Sequence, residues 1–195
     1  MAVKELILLF IGSALVNNFL LARFLGICSF LGVTSQLRAA VSMGVAVTGV
    51  MFGASTVSWL LYAYVLDPLG LQYLQYVVFI LVIASMVQAL EQVIKARMPG
   101  LYRAFGIYLP LITTNCAILG VALLVVQNEY NLLSSIVFAL GGGAGFTLAM
   151  AMMAGLREEF RPREIPHAFR GTGIGLVTAG IMSLAFLAFS GMIPM

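Results

Sequence analysis

Charge is what this chain has least of. Only 9% of its 195 residues are Asp, Glu, Lys or Arg, while 62% are hydrophobic and the mean hydropathy is +1.09. A water-soluble domain carries about a quarter charged residues, so a soluble globule is excluded. The basic surplus is small, a net +3, and no clustered basic face with aromatic platforms accompanies it, which removes nucleic acid as a partner. Histidine occurs once and cysteine twice. Zinc and iron–sulfur sites usually need four ligands, so these three side chains cannot complete one. Two cysteines inside apolar stretches do not make an extracellular disulfide framework either. The N-terminus lacks a charged segment followed by a small-residue cleavage site, so the first hydrophobic run is expected to stay as a span.

What is present is apolar length. Runs of 20 or more residues recur, each enough to cross a hydrocarbon core of about 30 Å. The first, from residue 5 to about 24, is followed after Arg23 by a second apolar piece from Phe24 to Val33. Together they exceed one straight helix and fall short of two crossings, so a broken or re-entrant element with Gly26 at its seam is expected, its free backbone groups facing protein. Spans follow at about 39–64, closed by Trp59, Tyr62, Tyr64 and the turn Asp67-Pro68, and at about 71–94, ending near Glu91, Lys95 and Arg97. The stretch 101–126 is again overlong and interrupted: Pro110 removes a helical donor, and Thr113, Thr114 and Asn115 are N-cap types, so a new half-helix is expected to start at Cys116. A fifth span at about 132–156 carries Gly141-Gly-Gly-Ala-Gly145, and a sixth lies at about 172–193.

With six crossings, Arg38, Lys95, Arg97, Arg103, Arg157, Arg161, Arg163 and Arg170 fall on one side, leaving only Arg23 ambiguous. Lys and Arg mark the cytoplasmic face, which puts both termini outside. Glu91 with Lys95 at i+4 reads as an ordinary surface pair, and His167 as a solvated loop residue.

The two cysteines open the same phrase, Cys-x-x-Leu-Gly-Val, at Cys28 and at Cys116, 88 residues apart. Gly49-x-x-x-Gly53 and Gly141-x-x-x-Gly145 extend the match. The expected architecture is an all-α membrane protein of six transmembrane helices, built as two three-span halves, 1–98 and 99–195, in one integral membrane domain. Three crossings per half is an odd number, so the second half must run inverted, with broken helices meeting near the midplane. The glycine pairs ordinarily mean close helix packing. A buried cysteine is ordinarily an inert small hydrophobe, but two at matching half-helix starts point to ligation. Half-helix N-termini would offset the charge of thiolates in the bilayer. A second protein or second copy must then bring the remaining ligands. Asn17, Asn18, Thr113, Thr114 and Asn115 flank the breaks, read as caps and interhelical hydrogen bonds or as the lining of a cation path.

Val16-Asn-Asn-Phe19, Phe24-Leu-Gly-Ile-Cys28, Gly106-Ile-Tyr-Leu-Pro-Leu-Ile-Thr-Thr-Asn-Cys-Ala-Ile-Leu-Gly-Val121, Phe169-Arg-Gly171 and Thr178-Ala-Gly-Ile-Met-Ser-Leu-Ala-Phe186 resemble the A-type members of Rnf complexes. They are also similar to the E-type member of the sodium-pumping NADH:quinone reductase. The resemblance covers essentially the whole chain. It implies a membrane component of an ion-translocating ferredoxin:NAD⁺ oxidoreductase in the bacterial cytoplasmic (inner) membrane, moving Na⁺ or H⁺. It implies pairing with the homologous, oppositely oriented E-type Rnf subunit, alongside the other Rnf subunits. It further implies a [2Fe–2S] cluster shared with that E-type protein, two Cys from each, the matching positions here being Cys28 and Cys116, with Gly26 and the polar residues of both breaks as surroundings. The competing expectation is a free-standing secondary transporter, since inverted repeats and broken helices are its marks as well.

Overall fold

A computed structural model describes residues 3–97, 109–160 and 171–189. His167, Arg103, Arg161, Arg163, Arg170, the start of the fourth apolar stretch and the end of the sixth lie outside the described residues. Those described are helical, with no strand among them.

The first apolar run breaks, but earlier than expected: the helix ends at Val16 and resumes only at Ile27, so the interruption spans residues 17–26 and Gly26 marks only its end. Helix α1 (Val3–Ile11) widens into a π-helical turn over Gly12–Val16, closed by the Asn17 N–H on the Gly12 carbonyl at 2.8 Å. The chain then leaves the helix and resumes as α2 (Ile27–Val33). Asn18 makes the break tolerable away from water. Its buried side-chain oxygen accepts from the N–H groups of Leu20 (3.0 Å) and Leu21 (3.3 Å), and its amide donates to the carbonyls of Gly145 (2.8 Å) and Ala14 (3.2 Å). One side chain thus takes over the pairing that a continuous helix would supply. Ser183 adds a 2.6 Å bond to the Leu21 carbonyl. The break also bends through positive φ at Phe24 (54°) and Gly26 (87°), and glycine occupies the more extreme of the two.

Helix α3 (Leu37–Leu61) continues through a π-helical turn at Tyr62–Leu66 and a final turn at Asp67–Leu69, and Gly70, at φ 65°, ends it. Helix α4 (Gln75–Arg97) follows. The fourth stretch is divided into α5 (Leu109–Thr113) and α6 (Cys116–Gln127). Helix α7 (Leu132–Phe160) is the longest, and α8 is Thr172–Leu187. Among the described residues four stretches are long and apolar enough to cross a membrane: Leu37–Leu69, Gln72–Gln92, Pro110–Gln127 and Leu132–Phe160; Thr172–Leu187 is shorter. Val77, Ile80, Leu81, Ile181 and Leu184 are exposed, as side chains turned toward lipid should be.

Helices α3 and α7 form the central pair. Where they meet, Gly44 leaves room for Thr147 and Gly143 leaves room for Thr48. The Thr48 hydroxyl donates to the Gly44 carbonyl and the Thr147 hydroxyl to the Gly143 carbonyl, each at 2.8 Å, and the two hydroxyls stand 3.3 Å apart. The contact is reciprocal and runs in opposite senses along the two helices. The glycines of the sequence repeat behave differently. Gly141 and Gly145 sit against the backbone of Phe10 and Ala14, so the broken first element packs directly on α7. Gly53 meets only the end of Met86, and Gly49 faces open space. The close-packing reading holds for the second glycine pair, not for the first.

At its far end α7 clamps the connection between α2 and α3. Arg157 donates to the Leu31 carbonyl (2.8 Å) and the Thr34 hydroxyl (2.9 Å), satisfying the end of α2, while the Glu158 carboxylate accepts from the Leu37 N–H (2.9 Å) at the start of α3. Both charges complement the helix ends they meet.

Candidate functional site

The two breaks, almost ninety residues apart in sequence, come together. Helix α6 begins where the sequence placed it: Asn115 is its N-cap, with the side-chain oxygen accepting from the Ala117 N–H at 3.0 Å. The Asn115 amide reaches Ser29 Oγ at 3.5 Å, and the Ser29 hydroxyl donates to the Gly26 carbonyl at 2.9 Å. The Gly26 N–H in turn donates to Cys116 Sγ at 2.9 Å. These bonds close a loop that holds the starts of both half-helices against each other. Phe146 of α7 fills the space a side chain at residue 26 would need.

Both cysteines are exposed and unbonded to each other. Cys116 lies between two open cavities. One of about 330 Å³ runs toward α4 and is lined by Ile80, Ile83, Thr113, Thr114, Asn115 and Leu119. The other, about 290 Å³, follows α6 past Leu119, Gly120 and Leu123 to Arg23 and Gln127. The Gly26 N–H fixes the position of this sulfur at the mouth of both cavities. Among the described residues no three His, Cys, Asp or Glu side chains gather as a metal cage.

The other sequence candidates divide. Gly26 and Asn115 hold the thiol region together. Thr114 is exposed and donates to the Pro110 carbonyl at 2.9 Å, securing the end of α5, and Thr113 lines the larger cavity beside Cys116. Asn18 is buried and fully spent on the first break. Asn17 is elsewhere, in a small cavity with Phe19, Arg23, Leu124, Asn128 and Tyr130. Glu91 and Lys95 on α4 are both engaged. Ser29, Ser183 and Arg157 have roles that the motifs did not announce. Ser29 alone was detectable, since it follows Cys28 directly and stands three residues after Gly26, within reach of that carbonyl.

Fold and site define a helical membrane protein of several spans whose two interrupted helices present an exposed pair of thiols at their junction. Residues 6–193 match the family described as Rnf-Nqr subunit, membrane protein. The chain is 54% identical over 191 residues to the A component of the ion-translocating oxidoreductase complex of Syntrophotalea carbinolica, covering 98% of this chain and 99% of that one. It is 54% identical over 187 residues to the A component of the Na⁺-translocating ferredoxin:NAD⁺ oxidoreductase complex of Acetobacterium woodii, covering 96% and 97%. Against the A component of the ion-translocating oxidoreductase complex of Serratia proteamaculans the identity is 51% over 189 residues, covering 97% and 98%. The chain belongs to the Rnf-Nqr subunit family, and the resemblance to the A-type Rnf proteins read from its motifs is borne out.

Proposed function

We propose that this chain is the A-type membrane component of a redox-driven ion pump, an Rnf-type ferredoxin:NAD⁺ oxidoreductase that couples electron transfer to movement of Na⁺ or H⁺. Its six crossings form two inverted halves, 1–98 and 99–195, with both termini outside the cytoplasmic membrane. The reciprocal Gly44–Thr147 and Gly143–Thr48 contacts, opposite in sense, support such an arrangement. Cys28 and Cys116 supply two thiolates of a [2Fe–2S] site, and a homologous, oppositely oriented E-type protein supplies the other two.

The observation that carries this reading is the junction itself. Two helix breaks meet with both thiols exposed, and a backbone N–H is already directed at one sulfur. Exposure on this chain's own surface is what a half-site completed by a second protein requires. The donor set fits: two soft thiols, no Asp, Glu or His clustered with them among the described residues, and a backbone N–H directed at the Cys116 sulfur. A bound [2Fe–2S] cluster supplies one-electron relay. The chain's own contribution is to hold Cys116 by the Gly26 N–H and to fix the α6 start by the Asn115 cap.

The test is Cys28→Ser in the intact complex, with iron and acid-labile sulfide measured alongside EPR. Loss of one iron–sulfur signal together with electron transfer is expected. Full retention of both would overturn the reading. Solute uptake into liposomes by the purified chain alone, without iron, would favour a secondary transporter instead.

A further inference from the structure

Arg23 is the one basic residue that the charge map left ambiguous, and its surroundings explain why it is there. It lines a cavity of about 110 Å³ with Asn17, Asn128 and Tyr130, walled by Phe19, Leu124 and Phe138. Among the described residues, none of these four polar side chains has a hydrogen-bond or ion-pair partner. An arginine within or beside a membrane segment is costly unless it meets an anion or reaches the headgroups. Here two amides and a phenol line the same small space as Arg23, with Arg23 and Asn128 exposed at its mouth, so the cavity offers N–H and O–H donors beside a positive charge.

Its depth is set by two independent features. Helix α6 runs from Cys116 to Gln127, a rise of about 17 Å, or about half of a ~30 Å hydrocarbon core. The cavity lies at the far end of that rise, beside Asn128. Trp59 donates from its indole nitrogen to the Tyr130 carbonyl at 2.7 Å, and such aromatic pairs occupy the membrane–water interface. The cavity is therefore at headgroup level, on the face where α6 ends and α7 begins.

We propose that Arg23, Asn17, Asn128 and Tyr130 form a binding site for a single phosphate group, supplied by a phospholipid headgroup or by free phosphate at that interface. Arginine matches phosphate geometry with paired N–H donors, and the amides and the phenol complete the coordination. The second cavity, running along α6 from Arg23 to Cys116, gives an apolar track on which an acyl chain can lie. The same positive charge opposes passage of a cation by this route. The depth assigned to the cavity rests on the proposed inverted halves, which set the start of α6 near the midplane, but not on the cluster.

The experiment uses the purified complex exchanged into detergent and then supplied with phosphatidylglycerol, with bound lipid counted by native mass spectrometry. Wild type is expected to retain one more lipid than Arg23→Gln, whose affinity falls about tenfold with loss of the charge-assisted bonds. Asn128→Asp, at an exposed position, places a like charge opposite the phosphate and is expected to lose the same lipid with Arg23 intact. Equilibrium dialysis of the delipidated complex with radiolabelled inorganic phosphate distinguishes the sources: binding there, with no lipid difference, assigns free phosphate. Equal lipid counts in all three proteins and no bound phosphate would overturn the proposal. So would a loss confined to Arg23→Gln, which would mean that the arginine merely extends to bulk headgroups.

Discussion

The N–H of Gly26 donates to the sulfur of Cys116 across 2.9 Å, joining positions 90 residues apart. Gly26 can do this because it stands at φ 87°, a conformation that turns its N–H out of the chain and toward the neighbouring half-helix. A Cβ at this position would meet Phe146 at 2.8 Å and Asn115 Oδ1 at 3.0 Å. Gly26→Ala is expected to cost about 1–2 kcal/mol for the left-handed backbone alone, and more from the crowding. In the assembled complex this should lower the midpoint of thermal unfolding. An unchanged midpoint would show that the glycine is not what holds the two breaks in contact.

Asn115 is positioned by a different element of the same junction, the N-cap of α6. Asn115→Ala removes the acceptor for the Ala117 N–H and is expected to cost about 1 kcal/mol. Asn115→Asp keeps an acceptor and should recover most of that, since the bond it gives up, to Ser29, is long at 3.5 Å. Denaturation of the two variants side by side checks this. If Asp is as damaging as Ala, the contact with Ser29 matters more than the cap.

At the first break the demand on side-chain chemistry is stricter. Asn18 both donates and accepts: its amide donates to the Gly145 and Ala14 carbonyls, and its oxygen accepts from the Leu20 and Leu21 N–H groups. Asn18→Ala leaves buried backbone groups unpaired and is expected to destabilise by about 2–4 kcal/mol. Asn18→Asp should not rescue, because a carboxylate oxygen would then face two carbonyls. Expression level and thermal midpoint of both variants report the outcome, and a stable Asp variant would contradict the hydrogen-bond assignment.

Much of this arrangement was legible in the chain. Overlong apolar runs showed that both elements break, the second where Pro110–Asn115 placed it and the first only at its Gly26 end, and the repeated Cys-x-x-Leu-Gly-Val phrase located the thiols. An Asn directly before an apolar run identified the α6 cap, because capping is local chemistry between residues 115 and 117. What could not be read were contacts set by tertiary packing. The spacing Gly-x-x-x-Gly is the same at 49–53 and 141–145, yet only the second pair meets backbone, because helix rotation about its axis is fixed by neighbours. Nothing local to Arg157 tells that it ends α2, or local to Asn17 that it belongs with Arg23 and not with the thiols. The segments that meet reciprocally are Gly44-x-x-x-Thr48 and Gly143-x-x-x-Thr147, and not the Gly-x-x-x-Gly pairs that the repeat matched.

That difference between glycines gives a direct comparison. At Gly145 an added Cβ would stand about 2.9 Å from the backbone carbon and Cα of Ala14, atoms that cannot move aside without displacing the first broken element from α7. The same shift would pull Asn18 from its bond to the Gly145 carbonyl. Gly145→Ala is therefore expected to cost about 1–3 kcal/mol, the range for overpacking, and to weaken the first break as well. At Gly49 a Cβ meets nothing within 4 Å, and replacing a mid-helix glycine by alanine gains about 0.5–1 kcal/mol in helix preference. Gly49→Ala should thus be neutral or slightly stabilising. Thermal midpoints of the assembled complex, measured for both single variants and for the double variant, check the contrast. The two sites act on α7 and α3 through separate neighbours, so their effects should add. Equal losses at both positions would mean that Gly49 too is covered by a helix, one contributed by another protein of the complex.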